Sequence, residues 1–459
     1  MNARRSQRLF DPLFTTERMR EIFSDHGRLQ SMLDFEAALA RGQASAGVIP
    51  TAAAVAIEAQ CRAELFDVDA LAAAASQAGN SAIPLVKALT ARVAAADAGA
   101  ARHVHQGATS QDAMDTGLVL QLRSALSAID SDLDRFSTAL AALAKTHAST
   151  PLAGRTWLQQ GPPVTLGLKA AGFLSAIERH RERLAELRGR VLTLQFGGAV
   201  GTLAASGERG LDVASALGRE LGLAVPDVPW HTQRDRIAEV ATTLGLLVGT
   251  LGKLARDVSL LMQTEIGEAS EPSAAGRGGS STMPHKRNPV GSAVILAAAT
   301  RVPALVSVML SAMVQEHERG LGGWHAEWET LPDICTLTAG ALAQAIAIVE
   351  GLQVDPARMA ANLDLTHGLI LAEAIATELG KKLGKADAHA IVEEASAQAI
   401  AARRPLGDVL AADARVAAHL SAREIERLLD PRNYLGLTKQ LIDRALAGRR
   451  GNDDGATDR

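Results

Sequence analysis

The chain has 459 residues, more than one typical domain, so it is expected to fold into two or three packed units. Hydrophobic residues make up 47% of it and aromatic residues only 3%, which favours closely packed helices over an aromatic-rich β-sandwich. The formal net charge is -4 with both signs interspersed, which excludes the basic field of a nucleic-acid binder and favours a small-molecule partner.

The N-terminal residues MNARRSQRLF are basic but lead into the charged stretch TTERMREIF, so no signal peptide is predicted. No uninterrupted apolar run approaches the roughly 18 residues that span a bilayer, so no membrane contact is expected. Cys61 and Cys335 lie far apart without metal-ligand spacing. We therefore expect both to be reduced core residues of a cytoplasmic protein.

Two long helices are predicted by apolar residues that recur in alternating steps of three and four. The first set is Val119, Leu122, Leu126, Ile129, Leu133, Phe136, Leu140 and Leu143. The second set is Ile237, Val240, Leu244, Leu247, Leu251, Leu254, Val258 and Leu261, in a helix expected to end at Glu271-Pro272. Helices of about 25 to 35 residues should pack nearly antiparallel and leave surface for other subunits.

Three domains are predicted from this pattern. They are an N-terminal helical domain over residues 1–112, a central long-helix domain over 113–363, and a C-terminal helical domain over 364–459. The last eleven residues, RRGNDDGATDR, are polar and are predicted to be disordered.

Two polar segments interrupt the helical pattern. Residues 102–117 contain His103, His105, Thr109, Ser110, Gln111 and Asp112, and residues 151–167 contain Arg155, Thr156, Trp157 and Gln159. Each segment alone is typical of a capped loop between helices. Together, hydroxyl and amide clusters at helix ends indicate a site for a polyanionic ligand.

A third polar segment, GGSSTMPHKRNP at 278–289, follows the small residues SAAGR and has the composition of a mobile lid. Asn288-Pro289 is typical of a helix N-cap followed by the first helical residue. That helix N-terminus, with Lys286 and Arg287, predicts an anion site. Composition equally allows a capped surface loop, and it does not distinguish Ser280 from Ser281.

Two other clusters give weaker signals. GGAVG at 197–201 is interpreted as a loop or packing cluster, because no predicted strand precedes it. The histidines and glutamates of QEHERG and GWHAEWE, at 315–320 and 323–329, lack the spacing of a zinc helix motif. They favour a pocket wall or a subunit contact over a metal site.

The polar segments carry a family resemblance. GSSTMPHKRNP resembles the signature loop of the fumarase/aspartase superfamily, GATSQD its first signature region, and GRTWLQ its second. The match runs in order over nearly the whole chain. It implies an all-α, three-domain fold with a central bundle of long helices. It also implies a homotetramer with active sites shared by three subunits, a small polycarboxylate substrate, and no metal or other cofactor.

The resemblance also assigns roles to residues. Ser280 would be the catalytic acid or base, and Lys286 and Asn288 would bind substrate carboxylates. The remaining candidates for substrate binding are Thr109, Ser110, Gln111, Thr156, Trp157, Gln159, Ser281, Met283 and His105.

Two positions depart from the superfamily pattern. Its fumarate-forming lyases commonly carry a histidine where this chain has Trp157 and a glutamate where it has Ala293. A basic amine or hydroxide leaving group needs a proton donor, whereas a carboxylate, with a pKa of roughly 4, does not. The double loss therefore predicts lactone opening or closure. LFDPLF, GNSAIPLVKAL, PWHTQRDRIAE and GWHAEW resemble the cycloisomerase branch of the superfamily.

Two alternatives stay open. Adenylosuccinate lyases often share the sequence MPHKRNP, but GNSAIPLV at 79–86 lacks the histidine that they carry in the corresponding region. A non-catalytic helical scaffold is the second alternative, and the retained serine loop argues against it.

Overall fold

The computed structural model describes residues 9–273, 278–279, 282–283 and 285–453, and this part of the chain is nearly all α, as predicted. The helices are α1 Asp11–Phe14, α2 Glu17–Ile22, α3 Asp25–Ser45, α4 Thr51–Glu58, α5 Val68–Ala78, α6 Ala82–Ala96, α7 Ser110–Thr146, α8 Leu166–Val191, α9 Gly210–Leu221, α10 Asp235–Leu261, α11 Val290–Ala312, α12 Gly323–Glu350, α13 Pro356–Leu363, α14 Ala372–Leu383, α15 Lys385–Ala402, α16 Leu406–Ala412, α17 Ala414–Ala417, α18 Ala422–Leu428 and α19 Thr438–Asp453. The strands are β1 Pro151–Thr156, β2 Gln159–Thr165, β3 Ala269–Ser270 and β4 Gln353–Val354. Short 3-10 turns cover Ala63–Leu65, Ala100–His103, Ala204–Arg209, Asp364–Thr366, Leu369–Leu371 and Pro431–Asn433.

The two heptad helices are confirmed as α7 and α10. Every apolar residue of the second set is buried, and so is every residue of the first set except Leu143, which is partly buried. The predicted end of α10 at Glu271 is wrong, because the helix stops at Leu261. Gly267 has a φ of +63° there, and Glu268 N–H donates to the Leu261 carbonyl at 3.0 Å, which reverses the chain before β3.

Contacts divide the chain into two compact units. The first consists of residues 1–134, 180–252 and 294–344, and the second of residues 135–179, 253–293 and 345–459. One apolar cluster of the second unit lies among α14, α15, α16 and α18. The three-domain division of the sequence stays a prediction.

Residues 151–165 form a β-hairpin, so their interpretation as a loop between helices is wrong. β1 and β2 pair antiparallel, with a register shift between Ala153 and Gly154. Pro162 and Pro163 exclude a helix here. Leu152, fully buried, and Val164 pack in one apolar cluster with the end of α10, so burial selects the hairpin.

Three helices are long and apolar enough to cross a membrane by length and composition alone: Asp235–Leu261, Val290–Ala312 and Gly323–Glu350. The sequence expectation missed them because it counted only uninterrupted apolar runs. In α10 and α12 most of the apolar window is buried within the protein, at 56% and 72%. In α11 only 28% is buried, which leaves an apolar face exposed.

The C-terminal tail is partly helical, contrary to the predicted disorder. α19 continues to Asp453, and residues 454–459 lie outside the described residues. Leu446 packs in an apolar cluster around Ala144 and Ala170, and the Arg449 guanidinium donates to Ser137 and Thr138. These contacts hold the last turns in place despite their polar composition.

Candidate active site

Asp112, in the first turn of α7, organises the first polar segment. Its buried carboxylate accepts hydrogen bonds from the Thr109, Gly197 and Gly198 backbone N–H groups, at 3.0, 3.1 and 2.9 Å. It also accepts from the Gln195 amide at 2.9 Å, and His231 Nε2 lies 3.0 Å away. One carboxylate thus fixes the start of α7, the glycine segment 197–201 and His231. That glycine segment is a loop, which confirms its interpretation.

A buried ion network lies one helical turn further along α7. The Arg234 guanidinium, 1% exposed, donates to both Asp115 oxygens at 2.7 and 3.1 Å and forms a second bidentate pair with Glu327. Burial alone would lower the pKa of Arg234, but the two carboxylates raise it instead. Burial raises the pKa of Glu327, although Arg234 opposes this shift. Trp324 Nε1 donates to Asp115 at 3.0 Å.

Four predicted site residues lie in this first unit: His105, Thr109, Ser110 and Gln111. Thr109 and Ser110 are partly buried at the start of α7. Gln111 is 1% exposed, and its amide N–H₂ donates to Asp115 at 2.9 Å and to the His231 carbonyl at 2.8 Å. Both amide hydrogens are used within the protein, and a role of Gln111 in substrate binding stays a prediction.

His105 is paired with a buried carboxylate. Its Nδ1 lies 2.6 Å from Glu36, and its φ is +59°. Burial would lower the pKa of His105, but the Glu36 charge and hydrogen bond outweigh burial and raise it. The imidazolium form is therefore favoured in the folded protein.

A cavity of about 40 Å³ adjoins the Arg234 network. Its walls include Met32, Ser81, Asp115, Trp324 and Trp328. Water molecules fit this volume, but pockets for substrates typically measure about 300–1,000 Å³. This cavity alone does not hold a small polycarboxylate.

In the second unit, Trp157 and Leu158 form the tip of the β1–β2 hairpin. Thr156 pairs with Gln159, so the connection is a two-residue turn, and both tip residues have positive φ, +52° and +63°. This is the backbone of a type I′ turn, which normally selects Asn-Gly. Trp157 is 96% exposed and Leu158 79%. The predicted residues Thr156, Trp157 and Gln159 thus come together on one exposed, strained tip.

The strand pair next to the tip is held by a buried carboxylate. The Arg155 guanidinium donates to both oxygens of Glu268, at 2.9 and 2.6 Å, and Asn362 donates to the same carboxylate at 2.8 Å. The Gln160 amide donates to the Asn362 carbonyl at 2.9 Å. Arg155 is therefore neutralised within the unit and anchors the hairpin.

The signature loop is described at residues 278–279, 282–283 and 285–289, whereas Ser280 and Ser281 lie outside the described residues. Asn288 N–H donates to the Gly278 carbonyl at 2.8 Å and closes the loop. Gly278 has a φ of +71°, and a Cβ there would lie 2.8 Å from the Asn288 carbonyl oxygen. Lys286 is exposed, as is Met283 at 42%.

The N-terminus of α11 is already occupied by a carboxylate. Glu271 accepts hydrogen bonds from Gly291 and Ser292 N–H, at 2.9 and 2.7 Å, and Arg287 donates to the Glu271 carbonyl and to Gln353. The predicted anion site assumed that the backbone N–H groups at this helix start are available to a ligand. That assumption is wrong, because the Glu271 carboxylate already accepts hydrogen bonds from Gly291 and Ser292. Of the predicted pair of cations, Arg287 is tied to the protein and Lys286 is exposed.

Sequence reasoning missed the anchors Glu268 and Glu271, and it also missed Arg319. The Arg319 guanidinium donates to Thr109 Oγ1 at 3.1 Å and to the Ala199 carbonyl at 3.5 Å. Its only sequence signal was its place in QEHERG, beside the histidines and glutamates. Within the described residues, no group of three or more His, Cys, Asp or Glu side chains could hold a metal ion.

Comparison with known proteins identifies the family of the chain. A family model described as Lyase matches residues 14–304, and one described as Adenylosuccinate lyase C-terminus matches residues 368–445. The chain is 63% identical over 442 residues to a 3-carboxy-cis,cis-muconate cycloisomerase of Pseudomonas aeruginosa, with 96% of each chain covered.

Two further relatives are similar. A cycloisomerase of the same name from Pseudomonas putida is 60% identical over 421 residues, which cover 92% of this chain and 100% of that one. The crystal structure of 3-carboxy-cis,cis-muconate lactonizing enzyme from Pseudomonas putida matches with a TM-score of 0.93 and 58% identity. That match covers 97% of this chain and 99% of the other.

Proposed function

Since the chain belongs to the lyase family of the fumarase/aspartase superfamily, we propose that it interconverts 3-carboxy-cis,cis-muconate and γ-carboxymuconolactone, in the protocatechuate branch of the β-ketoadipate pathway. The observation that carries this proposal beyond the family is the pair Trp157 and Ala293. Trp157 lies at the hairpin tip and Ala293 is exposed in the first turn of α11, and neither side chain can donate a proton. A lactone oxygen, which leaves as a carboxylate, needs no donor.

In the lactone-forming direction, one carboxylate oxygen of the substrate adds to a conjugated double bond. A C–O bond forms, and the electron pair of the double bond moves onto the adjacent carbon and its carboxylate. Lys286, Asn288 and backbone N–H groups of the signature loop stabilise this developing charge. Ser280 then donates its proton to that carbon and regains one from solvent. In the reverse direction, Ser280 is the base that removes this proton.

The other predicted residues bind the remaining carboxylates and shape the pocket. They are Thr109, Ser110, His105, Thr156, Trp157, Gln159, Ser281 and Met283. We assign Trp157 to the pocket wall, where its ring covers the planar diene. The Gln111 amide, by contrast, keeps Asp115 and the His231 carbonyl in place.

We further propose a homotetramer in the cytoplasm, with each active site built from loops of three subunits. Two features of this chain support association. The hairpin tip exposes a tryptophan and a leucine, and α11 exposes Val308 and Leu310 along an apolar face. Exposed apolar surface of this kind is typical of subunit interfaces.

The test is the ultraviolet absorbance of 3-carboxy-cis,cis-muconate after addition of the purified protein. The wild type should remove the diene chromophore, and Ser280→Ala should reduce the rate about 10²- to 10⁴-fold, the usual contribution of a general acid or base. Ser281→Ala is the matched control: as a variant of a substrate-binding residue, it should raise KM but keep kcat near that of the wild type. A wild type that leaves the chromophore unchanged would contradict the proposed function. Equal losses in the two variants would contradict the assignment of Ser280.

Adenylosuccinate lyase is the second candidate, because residues 368–445 match the C-terminal family of that enzyme. Adenylosuccinate added to the protein should give no spectral change. Cleavage of adenylosuccinate would make adenylosuccinate lyase the first candidate and the cycloisomerase the second.

A further inference from the structure

Two buried carboxylates flank the short strand between α10 and the signature loop. Glu268 is fully buried and Glu271 is 4% exposed, with β3, Ala269–Ser270, between them. Side chains three positions apart along a strand point to opposite faces, so the two carboxylates reach different neighbours. Removing a carboxylate from water is unfavourable unless hydrogen bonds satisfy it, so each carboxylate must be bound by the elements that it faces.

Glu268 holds both strands of the β1–β2 hairpin. The Arg155 guanidinium donates to both Glu268 oxygens, at 2.9 and 2.6 Å, and the Asn362 amide donates to the same carboxylate at 2.8 Å. Arg155 pairs across the hairpin with Gln160, whose amide donates to the Asn362 carbonyl at 2.9 Å. β1 is therefore bound by Glu268 directly and β2 through Asn362. Trp157, two residues after Arg155, lies on the tip that these contacts support.

Glu271 holds the start of α11. Its carboxylate accepts hydrogen bonds from the Gly291 and Ser292 backbone N–H groups, at 2.9 and 2.7 Å. Within the part of the chain that the structure describes, no cationic side chain pairs with this carboxylate, so the positive end of the helix balances its charge. Asn288 lies three residues before Gly291, and its backbone N–H closes the signature loop on the Gly278 carbonyl at 2.8 Å. The position of Asn288 therefore depends on the hydrogen bonds that Glu271 accepts.

Residues 268–271 are themselves fixed in place. β3 pairs antiparallel with β4, and the Asp355 N–H donates to the Glu268 carbonyl at 3.0 Å. The Arg287 guanidinium donates to the Glu271 carbonyl at 3.2 Å and to the Gln353 side chain at 2.9 Å. One fixed segment of four residues thus binds the hairpin through its first side chain and α11 through its last.

We propose that Glu268 and Glu271 are positioning residues with separate kinetic roles. The inference takes the roles of Trp157 and Asn288 from the proposed function. Trp157 covers the diene in the ground state and the transition state alike, so loosening its hairpin through Glu268 should raise KM. Asn288 stabilises charge that develops only in the transition state, so displacing it through Glu271 should lower kcat.

The experiment compares Glu268→Gln and Glu271→Gln with Glu178→Gln in the full-length protein. Glu178 is the matched control, because it is also a buried carboxylate of the second unit and accepts a hydrogen bond from the Ser137 hydroxyl, outside residues 268–271. Three quantities are measured. They are KM and kcat for 3-carboxy-cis,cis-muconate, the free energy of unfolding in urea, and the hydrogen exchange of backbone amides by mass spectrometry.

Glu268→Gln should raise KM about tenfold and keep kcat within about threefold of wild type. Glu271→Gln should lower kcat about 10- to 100-fold and keep KM within about threefold. Glu178→Gln should lose stability as the other two variants do, but keep the KM and kcat of wild type.

Glu271→Asp keeps the charge on a shorter side chain and should recover part of kcat. If a Gln variant does not fold, the Asp variant at the same position replaces it, with the same expected division between KM and kcat. Wild-type kinetics at both positions would overturn the proposal. The same kinetic change in Glu178→Gln would also overturn it, because buried carboxylates would then act only through folding.

Hydrogen exchange tests the positioning without any substrate. Glu271→Gln should raise the exchange rate at the start of α11 about tenfold and leave that of the hairpin, residues 151–165, unchanged, and Glu268→Gln should do the reverse. If exchange changes in this way but the wild type does not consume the muconate, the proposed function alone is contradicted. If the wild type consumes the muconate but neither variant changes local exchange, the positioning roles alone are contradicted.

Discussion

The start of α7 and the tip of the β1–β2 hairpin both carry predicted site residues, but they hold them in opposite ways. At the start of α7, Asp112 accepts from Thr109 and Gly198, Asp115 accepts from Arg234, and the buried Gln111 donates both amide hydrogens within the protein. At the hairpin tip, Trp157 is 96% exposed on a backbone with positive φ. One region satisfies its polar groups internally, whereas the other leaves an aromatic side chain in solvent.

This difference separates the consequences of mutation. A side chain of the α7 network contributes to the folding of its own unit, so its loss should first be seen in stability. The exposed tip contributes little to the folding of the chain and accepts strain, which persists at functional sites. Loss of the tip should therefore be seen in activity and leave stability unchanged or improved.

The largest expected effect is on the α7 network. Arg234→Met leaves Asp115 and Glu327 buried without their cation, and removal of one partner of a buried ion pair costs about 3–5 kcal/mol. Urea unfolding should show this loss in the free energy of unfolding. The control is Arg135→Met, whose exposed pair with Glu350 should contribute roughly 0–1 kcal/mol. Similar losses in both variants would remove the distinction between a buried network and a surface pair.

The second expected effect is at the hairpin tip, where mutation should raise the free energy of unfolding instead of lowering it. Trp157→Asn with Leu158→Gly supplies the residues that a type I′ turn prefers and should stabilise the fold of the single protomer by about 1–2 kcal/mol, while it removes the apolar tip from the proposed subunit contact. The same change should lower kcat/KM for the muconate about 10- to 100-fold, because the ring that covers the diene is lost.

Leu158→Gly alone is the control for the tip, since it relieves strain but keeps Trp157. It should retain most of the activity. A double variant with full activity would show that Trp157 is not part of the pocket, and a less stable double variant would contradict the strain at the turn.

The heptad helices could be predicted from sequence because the apolar repeat of Ile237 to Leu261 is a local property that packing then follows. The hairpin could not, because its identity depends on Leu152 and Val164 meeting residues at the end of α10, far away in sequence. The end of α10 was missed for the same reason, because the chain turns there to pair β3 with β4, which is also far away in sequence.

Short motifs such as GATSQD and GRTWLQ supplied the candidate site residues, whose roles stay predictions. Arg319 could not be identified, because its contact with Thr109 joins residues 210 positions apart. The surroundings of Gln111 show the same limit, because its burial and its hydrogen bond to the His231 carbonyl depend on residues far away in sequence. A helix N-terminus likewise looks available until Glu271 is seen to cap it.

The smallest effect tests whether the residues before α7 titrate as part of the buried network. The pKa of His105 is raised above its ordinary value of 6.5, so the pair with Glu36 stabilises the folded state below about pH 6.5. That contribution is lost as pH rises through the folded-state pKa. Between about pH 6 and about pH 9, the free energy of unfolding of wild type should therefore fall by roughly 1 kcal/mol more than that of His105→Gln.

His147 provides a control of opposite sign. Burial lowers its pKa, so its neutral form is favoured in the folded protein, and stability is lost as pH falls below about 6.5. His147→Gln should therefore reduce the loss of stability toward acid pH and leave the alkaline side unchanged. If His105→Gln followed this acid-side behaviour instead, Glu36 would not hold an imidazolium. His105 would then be neutral in the folded protein, as Trp157 and Leu158 at the hairpin tip are. The start of α7 and the hairpin tip would then not differ in the charge of these residues.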